Sequence, residues 1–249
     1  MSTDKRLDGR VAVVTGASRG IGYATALALA KAGAHVVATG RTQGGLEELD
    51  DAIKSAGGSA TLAPFDIADF DAIDRLGAAL YQRFGKLDAL VANAGMLGSL
   101  TPLGHIEPKD WDKLVAVNLT ANWRLIRSLD PLLRASGAGR AVFLTSSAVH
   151  KDRAYWGGYA VTKAGVEALA RSYAAETAAN TAVRVMLVNP GPLRTAMRAK
   201  AMPGEDPATL KTPADLAPKI VALCAPDWSE TGRLYDFPSD RVLGFNPPS

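Results

Sequence analysis

Apolar runs of strand length alternate with longer helix-forming stretches along nearly the whole chain. Residues 10–15 (RVAVVT), 34–40 (AHVVATG), 60–65, 87–92 (LDALVA), 139–145, 183–188 and 232–237 read as seven short strands, each compact, apolar and followed by turn-forming or polar residues. Residues 23–34, 45–56, 68–84, 108–136 (one long helix or two joined ones), 159–178 and 213–225 read as helices. Short apolar strands separated by helices call for a largely parallel sheet covered on both faces, with right-handed crossovers. The expected fold class is therefore α/β, a doubly wound, mostly parallel seven-stranded sheet in a single domain over residues 1–249. One irregular insertion, residues 194–211 (RTAMRAKAMPGEDPATLK), follows the sixth strand and reads as a short lid.

The joint between the first strand and first helix, GASRGIG from Gly16 to Gly22, changes the picture from architecture to binding. Glycines allow a tight turn and close approach of a pyrophosphate, which can sit at the positive end of the following helix. Gly16, Ser18, Arg19, Gly20, Ile21 and Gly22 are thus candidate cofactor residues. Arg41 follows the second strand, where a dinucleotide's adenosine ribose arrives. A carboxylate there would accept the ribose hydroxyls, whereas an arginine can pair with a 2′-phosphate. NADP(H) is therefore the expected cofactor, with NAD(H) the alternative, and Arg19 could grip the same phosphate. Asp66, with Ile67 beside it, ends the third strand and reads either as an acceptor for the adenine amino group or as a helix cap. Asn93, Ala94 and Gly95 end the fourth strand, and small residues there leave room for a ligand at the carboxyl edge of the sheet.

The segment VFLTSSAVHKDRAYWGGYAVTK, residues 142–163, supplies the chemistry. Tyr159 and Lys163 are four residues apart and share a helix face, so a phenol and an ammonium can meet at one point. A neighbouring ammonium favours the phenolate, and the expectation is a Tyr159 pKa lowered toward neutrality. Ser146 and Ser147 both stand at workable spacings before the tyrosine, with Ser146 preferred.

With these residues in view, the chain resembles the classical short-chain dehydrogenase/reductase family. The segments TGASRGIG, NAG, YAVTK and NPGPLRT, with Asn118 and Ser146, match that family's pattern in order over almost the whole chain. The resemblance implies a Rossmann-type fold and hydride transfer between a nicotinamide cofactor and a carbonyl or secondary alcohol. It further implies that Tyr159 is the acid/base, that Lys163 is its partner and bonds the nicotinamide ribose, and that Ser146 polarises the substrate carbonyl. Asn118 would hold a water linking the lysine to solvent, and Pro190, Gly191 and Thr195 would wrap the nicotinamide ring. Homodimers or homotetramers, paired through the helices of residues 108–136 and 159–178, are implied as well.

Composition narrows the alternatives. A formal charge of +3, from 28 Lys and Arg against 25 Asp and Glu with no basic block interleaved with aromatics, argues against a nucleic-acid role. No apolar run reaches a membrane span and the amino end lacks the apolar core of a signal peptide, so a cytoplasmic protein that does not engage membranes is expected. Cys224 is the single cysteine and reads as core, and the three histidines have no metal-ligand spacing, so no metal is expected. Substrate contacts are expected from Met96, Leu97, Ser146, His150, Tyr155, Trp156 and Met197, a mostly apolar and partly aromatic set suited to a bulky or extended apolar small-molecule carbonyl or alcohol. Two other readings stay open: a 3-oxoacyl carrier-protein reductase, which a basic patch at the site entrance would favour, and a non-catalytic dinucleotide-binding scaffold.

Overall fold

Alternate residues of each buried strand face opposite sides of the sheet, and the helices supply both covers. In the computed structural model, which describes residues 6–245, the strands are β1 (Val11–Thr15), β2 (His35–Gly40), β3 (Ser59–Pro64), β4 (Ala89–Ala92), β5 (Arg140–Leu144), β6 (Arg184–Asn189), β7 (Arg233–Asp236) and β8 (Arg241–Leu243). Part of the polar lead and the carboxyl end of the 1–249 domain lie outside the described residues. The sheet order is β3-β2-β1-β4-β5-β6-β7-β8, with every pairing parallel except β7 with β8. The doubly wound, mostly parallel class is as expected, and the sheet has eight strands rather than seven. The added β8 is three residues long and only half-buried, too short for an apolar pattern to announce it.

The helices are α1 (Gly20–Lys31), α2 (Gln43–Ser55), α3 (Phe70–Phe84), α4 (Pro108–Val115), α5 (Ala121–Ala135), α6 (Gly157–Ala178), α7 (Ala196–Ala201) and α8 (Pro213–Leu223). Leu29 of α1, Leu49 of α2 and Ile220 of α8 pack with Ala12, Val14 and Val36 on one face of the sheet. Ile73 of α3, Leu125 of α5 and Val166 of α6 pack with Val13, Val37 and Leu90 on the other. Burying such side chains contributes roughly 1.5–3 kcal/mol each, which is why the strands are apolar throughout their length.

Residues 108–136 form two helices joined by a π-helical turn, Ala116–Thr120, and Asn118 lies inside that turn. Single π turns are often found at functional sites because the wider turn redirects backbone groups. Sheet order reverses between β1, which pairs with β2 on one side, and β4 on the other. Adjacent loops at the carboxyl ends of β1 and β4 diverge there and open the crevice in which such sheets bind ligands.

The opposite edge is closed. Asp88, 1% exposed, accepts hydrogen bonds from the Val11 amide at 2.8 Å and the Ser136 hydroxyl at 2.6 Å. Arg140 donates to the carbonyls of Gly139, Ala182, Ala225 and Pro226, and burial pushes its pKa down to about 10.

Candidate active site

The glycine turn needs its glycines for two different reasons. Gly16 and Gly20 have φ of +65° and +61°, a region that L side chains rarely adopt. Gly22 is a matter of space: a Cβ there would lie 2.2 Å from the Gly16 carbonyl oxygen and 2.6 Å from Asn93 Nδ2. Asn93 fastens the turn to β4 by donating to the carbonyls of Thr15 at 2.8 Å and Gly16 at 3.3 Å. Thr15, which sequence reasoning passed over, returns the favour: its hydroxyl oxygen accepts from the amides of Asn93 at 3.0 Å and Ala94 at 2.9 Å. The threonine before the glycine turn was the available signal.

At the amino end of α1, Arg19 makes no side-chain cap and no acidic residue stands in the first turn. The amides and dipole of that end, beside glycines through which backbone can approach, fit a pyrophosphate. Ser18 lies beneath this turn, its Oγ 3.3 Å from where a Gly40 Cβ would be. Arg19 and Arg41 are exposed, and Arg41 Nη1 is 3.6 Å from Asp66 Oδ2. Asp66 Oδ1 accepts from the Ala68 amide at 3.0 Å, closing a local turn, while the cap of α3 is Asp69, which accepts from the Ala72 amide. Ile67 is buried beside Asp66.

The second half of the site is a cleft of about 200 Å³ between the β4, β5 and β6 ends and α7. Ile21, Asn93 and Gly95 form one side, and Pro190, Gly191 and Thr195 another. Ser146, Tyr159 and Lys163 lie at its base, with Leu97, Trp156 and Met197 around the space left over. Gly191 has φ +64° and packs on Pro238, while the Thr195 hydroxyl accepts from the Arg198 amide at 3.2 Å and caps α7.

Ser146 and Tyr159 line the same cleft, and the Ser146 hydroxyl lies close enough to the phenol to favour its ionised form. Ser146 Oγ also accepts from the Ala148 amide at 3.2 Å, capping the short turn Ser147–Val149. Ser147 lines the cleft too, but it is Ser146 that meets the tyrosine. Lys163 is 4% exposed, and its Nζ donates to the Leu144 carbonyl at 2.7 Å and stands 5.9 Å from the Tyr159 ring centroid. Burial pushes the Lys163 pKa down to about 8. Burial also raises the Tyr159 pKa, and the Ser146 hydroxyl offsets only part of that rise. The lowering expected of Tyr159 is thus corrected: the ammonium is aimed at a backbone carbonyl, and desolvation of the phenol dominates.

Asn118, fully buried, uses its side chain as a strut. Its Oδ1 accepts from the Met96 amide at 2.8 Å, and Nδ2 donates to the Met96 carbonyl at 2.9 Å and to Thr162 Oγ1 at 3.1 Å. Both amide hydrogens are therefore committed, and the main-chain carbonyl accepts from Asn122 Nδ2 at 2.6 Å, which leaves only acceptor positions for a water.

Three expected substrate contacts stand apart from the cleft wall. Met96 offers its backbone to Asn118, while its side chain packs into the α3–α5–α6 core. Tyr155 is 59% exposed at φ +73°, its carbonyl accepting from the Thr101 amide, a turn that carries the ring outward. His150 faces Glu167, with Nε2 3.1 Å from Oε1.

Glu167 is the larger omission. It is 5% exposed, one helical turn beyond Lys163 on α6, and also accepts from the Thr145 hydroxyl at 2.7 Å. One carboxylate thus ties both sides of Ser146 to the helix that carries Tyr159. Its i+4 spacing from Lys163 on the buried face of α6 was the signal. Glu167→Ala is expected to lower unfolding free energy by about 1.5–3 kcal/mol, the range for hydrogen bonds to charged groups, and Glu167→Gln by less, because an amide oxygen still accepts from Thr145. Denaturant unfolding of the three proteins checks this, and equal midpoints would remove the tie.

Residues 194–211 are folded. Leu193 bridges Lys211, Arg194 Nε donates to the Pro207 carbonyl at 2.7 Å, and Arg198 grips Glu205 through two bonds of 2.5 Å. No described helix is long and apolar enough to cross a membrane, and no described group of His, Cys, Asp or Glu could hold a metal.

Comparison with known proteins accords with this site. Residues 10–206 match the family described as short chain dehydrogenase. The chain is 35% identical over 244 residues to "Uncharacterized oxidoreductase YciK" of Escherichia coli K12, covering 96% of each chain. A short chain dehydrogenase from Salmonella enterica serovar Typhi superposes with a TM-score of 0.90 at 35% identity, over 95% of this chain and 98% of that one. A chain from Escherichia coli CFT073 solved in complex with NADPH does so with a TM-score of 0.87 at 35% identity, over 94% and 98%. The glycine cradle, the uncapped helix end and the enclosed lysine beside a phenol thus occur in a chain that belongs to the short-chain dehydrogenase family of oxidoreductases, which use a nicotinamide dinucleotide.

Proposed function

We propose that the protein interconverts a carbonyl compound and its secondary alcohol with NADP(H), using Tyr159 as general acid and base. The observation that carries this reading is the meeting of Tyr159, Ser146 and Lys163 in one cleft at the carboxyl ends of the strands. A bound nicotinamide supplies hydride to, or takes it from, the reacting carbon. Everything else falls to the chain. Tyr159, kept protonated by burial, delivers its hydrogen to the substrate oxygen as negative charge develops there. Ser146 is a second donor at the same oxygen and orients the phenol. Lys163 stabilises the phenolate left behind, and Asn118 fixes the Met96 backbone against α6 so that the lysine keeps its position. In the alcohol-oxidising direction Tyr159 accepts the proton instead.

Arg41, Arg19 and Ser18 are the groups we assign to the adenosine end, and Arg41 favours a 2′-phosphate. Arg41→Asp is expected to weaken NADPH binding by about 10–100-fold, matching the loss of one or two charge-assisted bonds, and to favour NADH relatively. Fluorescence titration with both cofactors measures this, and unchanged affinities would sink the phosphate reading. The NADPH complex of the Escherichia coli CFT073 chain supports the same preference. Reduction of acyl thioesters is a second reading, which a broad basic surface around the site entrance would favour.

Turnover is tested by following the near-ultraviolet absorbance of the reduced cofactor over a panel of carbonyls. The scaffold reading would win if no carbonyl and no alcohol changed that absorbance. A homodimer or homotetramer, in which exposed Trp123 of α5 and Val161 of α6 find partners, and a cytoplasmic setting complete the proposal.

A further inference from the structure

We propose that Lys151 and Arg153 form an anion subsite at the rim of the cleft, and that the substrate is a small carbonyl compound carrying a carboxylate or phosphate several bonds from its reacting carbon. This rests on the catalytic reading above and names the substrate class of that site.

The charge in the cleft is one-sided. Its lining includes Lys151, Arg153 and Arg198 and no Asp or Glu. Arg198 is already neutralised, since Nε and Nη2 both bond Glu205, whose carboxyl that guanidinium holds below its usual range. Arg153 is held differently: its guanidinium lies 5.6 Å from the Trp156 ring centroid and makes no hydrogen bond to another described residue, though its charge also helps to hold the Glu205 carboxyl low. Lys151 makes no hydrogen bond or ion pair with another described residue, and Asp152 between them makes none either.

The cations have a fixed relation to the chemistry. Trp156 stands edge-on to Tyr159 with ring centroids 6.1 Å apart, so Arg153 is two ring contacts from the acid. Trp156 lies between them, and the same cleft is lined by the apolar Leu97 and Met197. A ligand complementary to that sequence of surfaces has a carbonyl at Tyr159, a short apolar body against Trp156, and an anion at the rim. Two exposed cations beside an apolar wall, neither of them hydrogen-bonded to another described side chain, attract such a group to the rim. Because these side chains line the cleft itself, a small anion fits them better than the broad acidic face of a carrier protein.

The test compares 4-acetylbenzoate, its methyl ester and 4-acetylphenyl phosphate, with NADPH, in the intact protein, in Lys151→Gln/Arg153→Gln and in Lys200→Gln. Lys200 is an exposed lysine of α7 outside the cleft lining, and its variant controls for the loss of a nearby surface cation. The expected result is a kcat/KM higher for an anion than for the ester, with that preference falling about ten-fold or more in the double variant through KM, and persisting in Lys200→Gln. Added salt should erode the preference, because the rim is exposed. Which anion gains more separates carboxylate from phosphate.

Equal rates on acid, phosphate and ester, or a preference untouched by the double variant, would overturn the subsite and leave the catalytic reading standing. Faster reduction of a 3-oxoacyl thioester on an acidic carrier protein than of either small anion would also overturn it. Should none of the substrates be turned over, the catalytic reading fails. Quenching of tryptophan fluorescence by acid against ester, in intact and double-variant proteins, then still decides the subsite: an anion preference lost in the variant supports it, and its absence rejects it.

Discussion

Tyr159→Phe is expected to lower kcat for carbonyl reduction by about 10²–10⁴-fold, the contribution of a positioned general acid, while cofactor affinity and thermal unfolding stay close to those of the intact protein. The phenylalanine keeps the ring against Trp156 and removes only the hydroxyl that meets Ser146. Single-turnover kinetics with saturating NADPH checks this, and a rate equal to that of the intact protein would overturn the acid assignment. The pH dependence follows from two shifts of opposite kind. Tyr159 is raised, so its proton stays in place through neutral and mildly alkaline pH. Lys163 is lowered to about 8, so its charge is present below that pH and lost above it. For reduction, kcat/KM reports the free enzyme and should fall as pH rises through about 8. Lys163→Met should abolish that limb and leave a low, flat profile.

Gly22→Ala should produce the largest loss of stability of any small substitution in the cofactor cradle. The added Cβ meets the Gly16 carbonyl oxygen at 2.2 Å, and neither the turn nor the start of α1 can retreat without breaking the Asn93 bonds. Overpacking of backbone on backbone costs about 3 kcal/mol. At this chain length that corresponds to a fall of about 6–12 °C in thermal midpoint. Dinucleotide binding should be lost along with it, because the phosphate amides are set by the same turn. Gly44→Ala is the control: no atom lies within 4 Å of its Cβ position in α2, and replacing a helical glycine should be neutral or stabilising by up to about 1 kcal/mol. Differential scanning calorimetry compares the two, and similar midpoints would contradict the close approach at Gly22.

The strand and helix order was legible because each βα unit carries its own local signal, and the same holds for the glycine turn and the Tyr159–Lys163 spacing. Boundaries were less so. The helix read from Tyr23 starts at Gly20, and that read from Tyr159 starts at Gly157, because glycines in a first turn look like loop until a sheet edge holds them. The Asn118 turn could not be seen as π-helical, since its bonds to Met96 and Thr162 arise from packing between helices. His150 and Tyr155 were placed with the substrate on the strength of their loop, and the fold directs one to Glu167 and the other to solvent.

By itself the sequence determined the parallel α/β layering, the glycine turn between the first strand and helix and the Tyr159–Lys163 spacing, since these depend on periodicity and on fixed separations of a few residues. Tertiary structure alone decided the electrostatics. Whether Tyr159 is raised or lowered, whether Lys163 points at a phenol or at the Leu144 carbonyl, and which of the cations lining the cleft are paired all depend on burial and on partners outside the element that carries each group. Desolvation and hydrogen bonding act over a few ångströms of space, and no spacing along the chain records that distance.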